Sequence, residues 1–492
     1  MPGANVEQTV KSLQRLREPI IFCKALSRSC ETTSVRTDSS VPTPLSEHEL
    51  FQKFVYKIAL VCDNQLSPDS ITAVSVMEDD DVYWFLFACN KVTHEGGSLV
   101  AEHIISLLRV VRDGASQDVS STVMRHKMLE RILLFNRPNV QRYIKWMIYW
   151  ASDLWDAADQ ALGKDAQLRE RICKVVSCVY ISDLDQSTDE EYLESCFASF
   201  RAMGLFLKGL KTFPSGPFGK KSSWGELKHC FSRLHAYRDA ANCIADAATR
   251  WPNLFEHFKV HHVPSSRPKS LPTGKRSYTS HDIVGRMSND SSEIRVLREK
   301  AASFLRCGLD EAIEQEAKKA KSLNVHCEVL LEDWIAHSPE AKRLSFFRGG
   351  QGWKYIGASK PTCRLCKYYF AAKRSDIALR PSHENLYTNW LFPESHGSKN
   401  TPQGRQWQTT LNSFMQMIRD DAIRMLNERT AHWKKHDSNT YATPSVRSIP
   451  SEAALIAPGY GRKQRVLVSL PSRAKVAVIK EEDMEEGGVK LK

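Results

Sequence analysis

No stretch of this 492-residue chain is long and apolar enough to span a membrane. The richest run, Tyr143 to Trp155, is interrupted by Lys145 and Asp153. The N-terminus lacks an apolar segment followed by a small-residue cleavage site, so no secretory leader is expected. A disulfide framework is lacking too. The 13 cysteines are odd in number and scattered, which suits a reducing compartment. These absences argue against a membrane partner and set the expectation of an intracellular protein, nuclear or cytoplasmic. Lys and Arg (69) outnumber Asp and Glu (57), giving a formal charge of +12. That balance permits contact with nucleic acid without demonstrating it, because tails and linkers can hold much of the excess. The length allows more than one domain.

Two short stretches carry the chemistry. The first runs from Asn324 to Leu331 and holds His326 and Glu328, one residue apart, ahead of an apolar run that reads as a helix. Near a first helical turn both side chains can converge on one point. The second runs from Ile356 to Cys366 and ends in Cys363-Arg364-Leu365-Cys366, whose cysteines at i and i+3 share one helical face. Pro361 fits a helix start, where the positive end of the helix dipole favours thiolates. One imidazole and two thiolates would leave the fourth tetrahedral position of Zn2+ open to water. Such a water has its pKa lowered towards about 7, and Glu328 stands ready to move its proton. A structural zinc site or a redox pair can also be built on a lone C-x-x-C. A closed site needs a fourth ligand, for which Cys327 and His383 are the nearest candidates.

The order H-x-E, then a proline and C-x-x-C, resembles the signature of the zinc-dependent nucleobase deaminases, the cytidine deaminase-like superfamily. The layout looks most like its fungal OTT-like nucleic acid deaminase branch. The resemblance implies His326, Cys363 and Cys366 as zinc ligands and Glu328 as the catalytic proton shuttle. Here Thr362 separates Pro361 from the first cysteine, where the family pattern has them adjacent. The implied fold is α/β, a three-layer α/β/α cytidine deaminase-like core.

Taken in order, residues 1–45 read as a disordered leader with one possible helix, Val6 to Arg17. Residues 46–92 read as the first helix and a β-hairpin of the core. The hairpin pairs the β-branched run Ser70 to Val76 with the aromatic run Val82 to Ala88 across an acidic turn. The resemblance makes Asn90, just after the second strand, a substrate-binding residue; a simple turn cap is the alternative. A large, mostly α-helical insertion over 93–262 would then split the core. Its helices are expected at Ser98 to Val111, Ser121 to Phe135, Asn139 to Leu162, Ala166 to Val179, Glu190 to Thr212 and Trp224 to Thr249. Tyr143, Trp146, Tyr149 and Trp150 read as helix-on-helix core sooner than as a base-stacking platform. Residues 263–290 read as a flexible linker, 291–437 as the zinc-binding deaminase core, and 438–492 as a disordered tail. Strands are expected at Trp353 to Gly357 and Ile377 to Arg380, and a long helix at Trp407 to Lys434. His383, Tyr387 and Trp390 lie where the family lines its pocket, although strand packing explains the two aromatics equally well. In the tail, the basic cluster Gly461 to Arg465 allows a nuclear address and Ile479 to Glu482 resembles a small-modifier attachment motif at Lys480, although motifs this short are frequent by chance.

The resulting expectation is a hydrolase acting on cyclic amidines. Zinc hydroxide would be the nucleophile, attacking cytosine or adenine bases in single-stranded DNA or RNA, since a stacked base is out of reach. Two alternatives remain open from sequence: a catalytically inactive zinc-stabilised binding or scaffold protein, and a free-nucleoside deaminase.

Overall fold

The structure, a computed structural model, describes residues 10–30, 32–34, 44–117, 119–161, 187–210, 223–270, 278–319, 322–348 and 352–432. The expected helix at Ala166 to Val179 and the tail from 438 onward, with its basic cluster and Lys480, lie outside them. Two compact units divide the described residues. One draws on Met1–Ala59, Asp69–Ala101 and His257–Ser438; the other draws on Leu60–Pro68 and Glu102–Glu256.

The first unit holds ten strands among the described residues. They are β1 (Thr32–Ser34), β2 (Thr72–Asp79), β3 (Val82–Cys89), β4 (Phe258–Val263), β5 (Lys269–Ser270), β6 (Ser322–Leu323), β7 (Ser345–Phe346), β8 (Tyr355–Ala358), β9 (Ala378–Leu379) and β10 (Thr430–His432). The hairpin β2–β3 sits at the centre of a mixed sheet ordered β4-β3-β2-β8-β9, with β7 also on β2. Its turn is tight, Asp79 facing Val82 with Asp80 at a φ of 51°. Aspartate tolerates that left-handed conformation, which a two-residue hairpin requires. β2 runs against both β3 and β8, whereas β4 and β9 run parallel to their neighbours.

Alternation along the hairpin supplies two apolar faces. Ala73, Met77, Trp84, Leu86 and Ala88 join the core formed with the helices Cys327–His337, Arg364–Lys373, Pro402–Glu428 and Val10–Ser29. The opposite face is covered by the helix Glu47–Cys62, where Phe54 meets Phe85 edge-on at 6.4 Å. Helices therefore cover both faces of the sheet, as a layered α/β core requires. Gly357 allows the close approach on that side: a Cβ there would lie 2.7 Å from Tyr56 N.

Two departures from the sequence reading bear on the site. Val10–Ser29 is a helix packed into the core, overlapping the helix allowed at Val6 to Arg17 but running on through residues read as a disordered leader. Ile20, Ile21, Phe22 and Cys23 are all buried in succession, so its C-terminal half has no simple one-sided apolar pattern. The expected linker after Val263 is also stitched in place at its start. Ser265 Oγ donates to Cys89 O (2.8 Å) and accepts from Val92 N (3.1 Å), and Ser266 Oγ accepts from Val325 N (3.0 Å). Serine and proline signal a loop, but short hydroxyls also tie loops to neighbouring backbone.

The second unit is helical, built on Ser121–Phe135, Arg137–Ala161, Asp189–Leu210 and Ser223–Arg250. Tyr143 packs inward, its hydroxyl accepting from Arg233 Nε at 3.0 Å, while Trp146, Tyr149 and Trp150 are half-buried. Asn136 and Asn139 donate to the carbonyls of Val61 (2.7 Å) and Asp63 (2.8 Å), fixing the short 60–68 segment. No helix among the described residues is long and apolar enough to cross a membrane.

Candidate metal centre

His326 is the N-cap residue of the helix Cys327–His337, and Glu328 lies in its first turn. The cap side chain makes no bond to its own helix, which leaves the imidazole available elsewhere. Asn90, at the end of β3, caps the turn in its place: its Oδ1 accepts from Cys327 N at 2.9 Å. The asparagine thus joins the hairpin to the helix that carries the histidine, satisfying one of the helix's orphan donors.

The cysteines come from the other direction. β8 leads into Ser359, whose N–H continues the ladder to Thr72 O at 2.8 Å. The chain then reaches Cys363, the N-cap of the helix Arg364–Lys373, whose Sγ accepts from Cys366 N at 3.4 Å. Pro361 stands two residues ahead of that cap. Arg364, between the thiols, is buried and donates to Asp421 Oδ2 at 2.6 Å, locking this helix to Pro402–Glu428. A second link joins the two site helices to each other, with Lys373 Nζ (2.6 Å) and Tyr369 Oη (3.2 Å) both on Glu332 Oε2.

His326 Nδ1 lies 3.6 Å from Cys363 Sγ and 3.6 Å from Cys366 Sγ. Zinc bonds of about 2.3 Å to sulfur and about 2.0 Å to nitrogen, at a tetrahedral angle, put sulfur and nitrogen about 3.6 Å apart. The donor set and its spacing therefore fit a zinc ion. The trio is buried, and among the described residues neither Cys327 nor His383 joins it, so no fourth protein ligand of those two closes the site. Cys327 Sγ instead faces Glu328 Oε2 at 3.4 Å, and His383 Nδ1 accepts from Asn385 N at 3.0 Å.

Electrostatics divide the thiols. Burial opposes ionisation of Cys363, but hydrogen bonds from Cys366 and His326 and the imidazole's charge outweigh it, holding the thiol well below its ordinary range. The thiolate in turn raises His326 against the pull of burial. Burial and the neighbouring Cys363 push Cys366 up. Glu328, only 4% exposed, is raised by burial despite the opposing charge of His326. Its Oε2 lies 3.9 Å from Cys366 Sγ.

Three further residues singled out from sequence surround this centre in different ways. The Tyr387 ring, half-buried, stands 5.8 Å from the His326 ring. His383 is buried edge-on to Tyr387. Trp390 is 1% exposed, stacks on Phe414 and donates its indole N–H to Cys366 Sγ at 3.4 Å. It lies behind the cysteine as support. A single bridge, Asn324 with Trp390, ties this stretch to the segment that carries His326.

No curated protein and no solved structure matches the chain. A family model described as OTT_1508_deam:-like deaminase matches residues 325–394, the stretch that holds His326, Glu328, Cys363 and Cys366, and over that stretch the chain is similar to a deaminase.

Proposed function

We propose that the protein is a zinc-dependent hydrolytic deaminase of cytosine or adenine bases carried in a single-stranded nucleic acid. The observation that carries this reading is the meeting of the two elements: one imidazole nitrogen 3.6 Å from two thiol sulfurs, with a buried carboxylate beside them. His326, Cys363 and Cys366 hold the ion, which when bound supplies Lewis-acid chemistry that makes water a nucleophile near neutral pH. Glu328 takes one proton from the attacking water to the ring nitrogen and then carries the remaining hydroxyl proton to the amino group, so that the C–N bond breaks, a carbonyl is left and ammonia leaves. Burial suits it to this task, because a carboxyl raised above its ordinary range holds a proton long enough to pass it on. Tyr387 is the nearest of the aromatic candidates to the imidazole and takes the base; Asn90, His383 and Trp390 hold the walls. The +12 charge favours a polynucleotide over a free nucleoside.

Ammonia release from zinc-loaded protein, offered free bases, nucleosides and single-stranded DNA and RNA, tests the proposal. Glu328→Gln should retain the metal and lose activity by about 10²–10⁴-fold, the usual worth of a general acid–base group. Loaded wild-type protein that releases no ammonia from any of them would leave a zinc-stabilised binding module as the better reading. Turnover of nucleosides alone would assign the smaller substrate.

A further inference from the structure

The helix that presents His326 and Glu328 at its first turn carries a second group of metal-ligating side chains at its last. Asp333 and His337 stand four residues apart on one face, and His396 reaches them from the loop before the helix Pro402–Glu428. His396 Nε2 is 2.7 Å from Asp333 Oδ2, and His337 Nδ1 is 3.2 Å from Asp333 Oδ1. Both imidazoles thus address the two oxygens of one carboxylate, and His337 Nδ1 also lies 2.9 Å from the Asp333 carbonyl oxygen. Their rings lie nearly parallel, with centroids 4.1 Å apart and planes at 20°. The ligand atoms of all three residues fall within 4.8 Å of one another.

We propose that Asp333, His337 and His396 form a second site, for a zinc-class divalent transition ion, separate from the His326–Cys363–Cys366 centre. Two imidazoles and one carboxylate select the borderline ions, zinc, cobalt, nickel and copper, over magnesium or calcium, which prefer all-oxygen shells. The site faces solvent, with side chains 21%, 31% and 44% exposed for Asp333, His337 and His396, so water completes the shell. Its frame is built. Asp333 and His337 ride on a regular helix, and the loop is fixed on both sides of His396. Trp407 Nε1 donates to Pro393 O at 2.8 Å, and Ser395 Oγ donates to Gly397 O at 2.7 Å. An ion there clamps the segment that follows Trp390 onto the end of the helix that begins at His326. Binding replaces the hydrogen bonds that now join the ring nitrogens to the carboxylate: a ring that is an imidazolium releases one proton to solvent, and a neutral ring shifts its proton to its other nitrogen.

Cobalt(II) is the probe, added to the purified full-length protein as isolated. The expected result is one saturable equivalent with visible ligand-field bands and no thiolate-to-cobalt absorption in the near ultraviolet. His396→Ala, a loop variant, and Asp333→Asn, which keeps the side chain's shape, should each lose that equivalent. Cys363→Ser should keep it, so this site stands or falls apart from the deaminase reading. No uptake by wild-type protein would overturn the proposal. Uptake that is lost in Cys363→Ser, or that survives His396→Ala, would assign the cobalt elsewhere and overturn it too.

Discussion

The indole N–H of Trp390, 3.4 Å from Cys366 Sγ, favours the thiolate of a sulfur that burial pushes towards its protonated form. Partners of this kind set ligand basicity and orientation, and losing one typically costs 10–100-fold in metal affinity. Trp390→Phe keeps the stack on Phe414 and removes only the donor. Competition with a chromophoric chelator should show zinc held about 10-fold more weakly; equal affinity would mean that the ring serves packing alone. At this scale His326, Glu328, Cys363 and Cys366 were legible from sequence because their meaning lies in spacing within a few residues. The surroundings were less so. Asn90 was picked out by its place after a strand, yet its bond to Cys327 N spans 237 positions of the chain and no local pattern encodes it. Trp390 and His383 are marked in the sequence by residue type alone, which does not give the depth at which each is buried.

Elements divide in the same way. Long helices and the β2–β3 hairpin show their period in the sequence and stand close to where that period places them, as with Ser121–Phe135. Short strands divide: β4 has half-buried residues on most of its length and carries no alternation to read, whereas β9, two residues long, falls inside the strand expected at Ile377 to Arg380. β4 is a strand because the edge of β3 accepts it. β8 depends on a different kind of fit. The Glu47–Cys62 helix lies so near it that Gly357→Ala would place a methyl 2.7 Å from Tyr56 N and 2.9 Å from Tyr56 Cα, both backbone atoms that cannot rotate aside. The helix must lift, at an overpacking cost of about 1–3 kcal/mol. A lowered denaturant midpoint with unchanged slope should report it, and an unshifted midpoint would mean the helix yields freely.

At the scale of the whole molecule, the site belongs to one of the two compact units and depends on segments far apart in the chain. Asn90 follows β3, Val325 is held by Ser266, Cys363 follows β8, and Arg364 is anchored by Asp421 of the last long helix. An ion on His326, Cys363 and Cys366 would therefore tie the starts of two helices to the sheet's hairpin and to β8, and its binding energy would become folding energy for that unit. The helical unit has a core of its own around Tyr192, Phe231, Tyr237 and Ile244, and no residue of the zinc trio lies in it. Removing zinc should thus act on one unit and spare the other. Hydrogen exchange after strong chelation is the measurement. Amides of β2, β3, β8 and the helices Cys327–His337 and Arg364–Lys373 should exchange faster, while those of Ser121–Phe135 and Ser223–Arg250 keep their protection. Cys363→Ser should reproduce the pattern without a chelator. Uniform loss across both units would mean that they unfold as one body, and no change anywhere would mean that the thiols and the imidazole hold the fold without a metal.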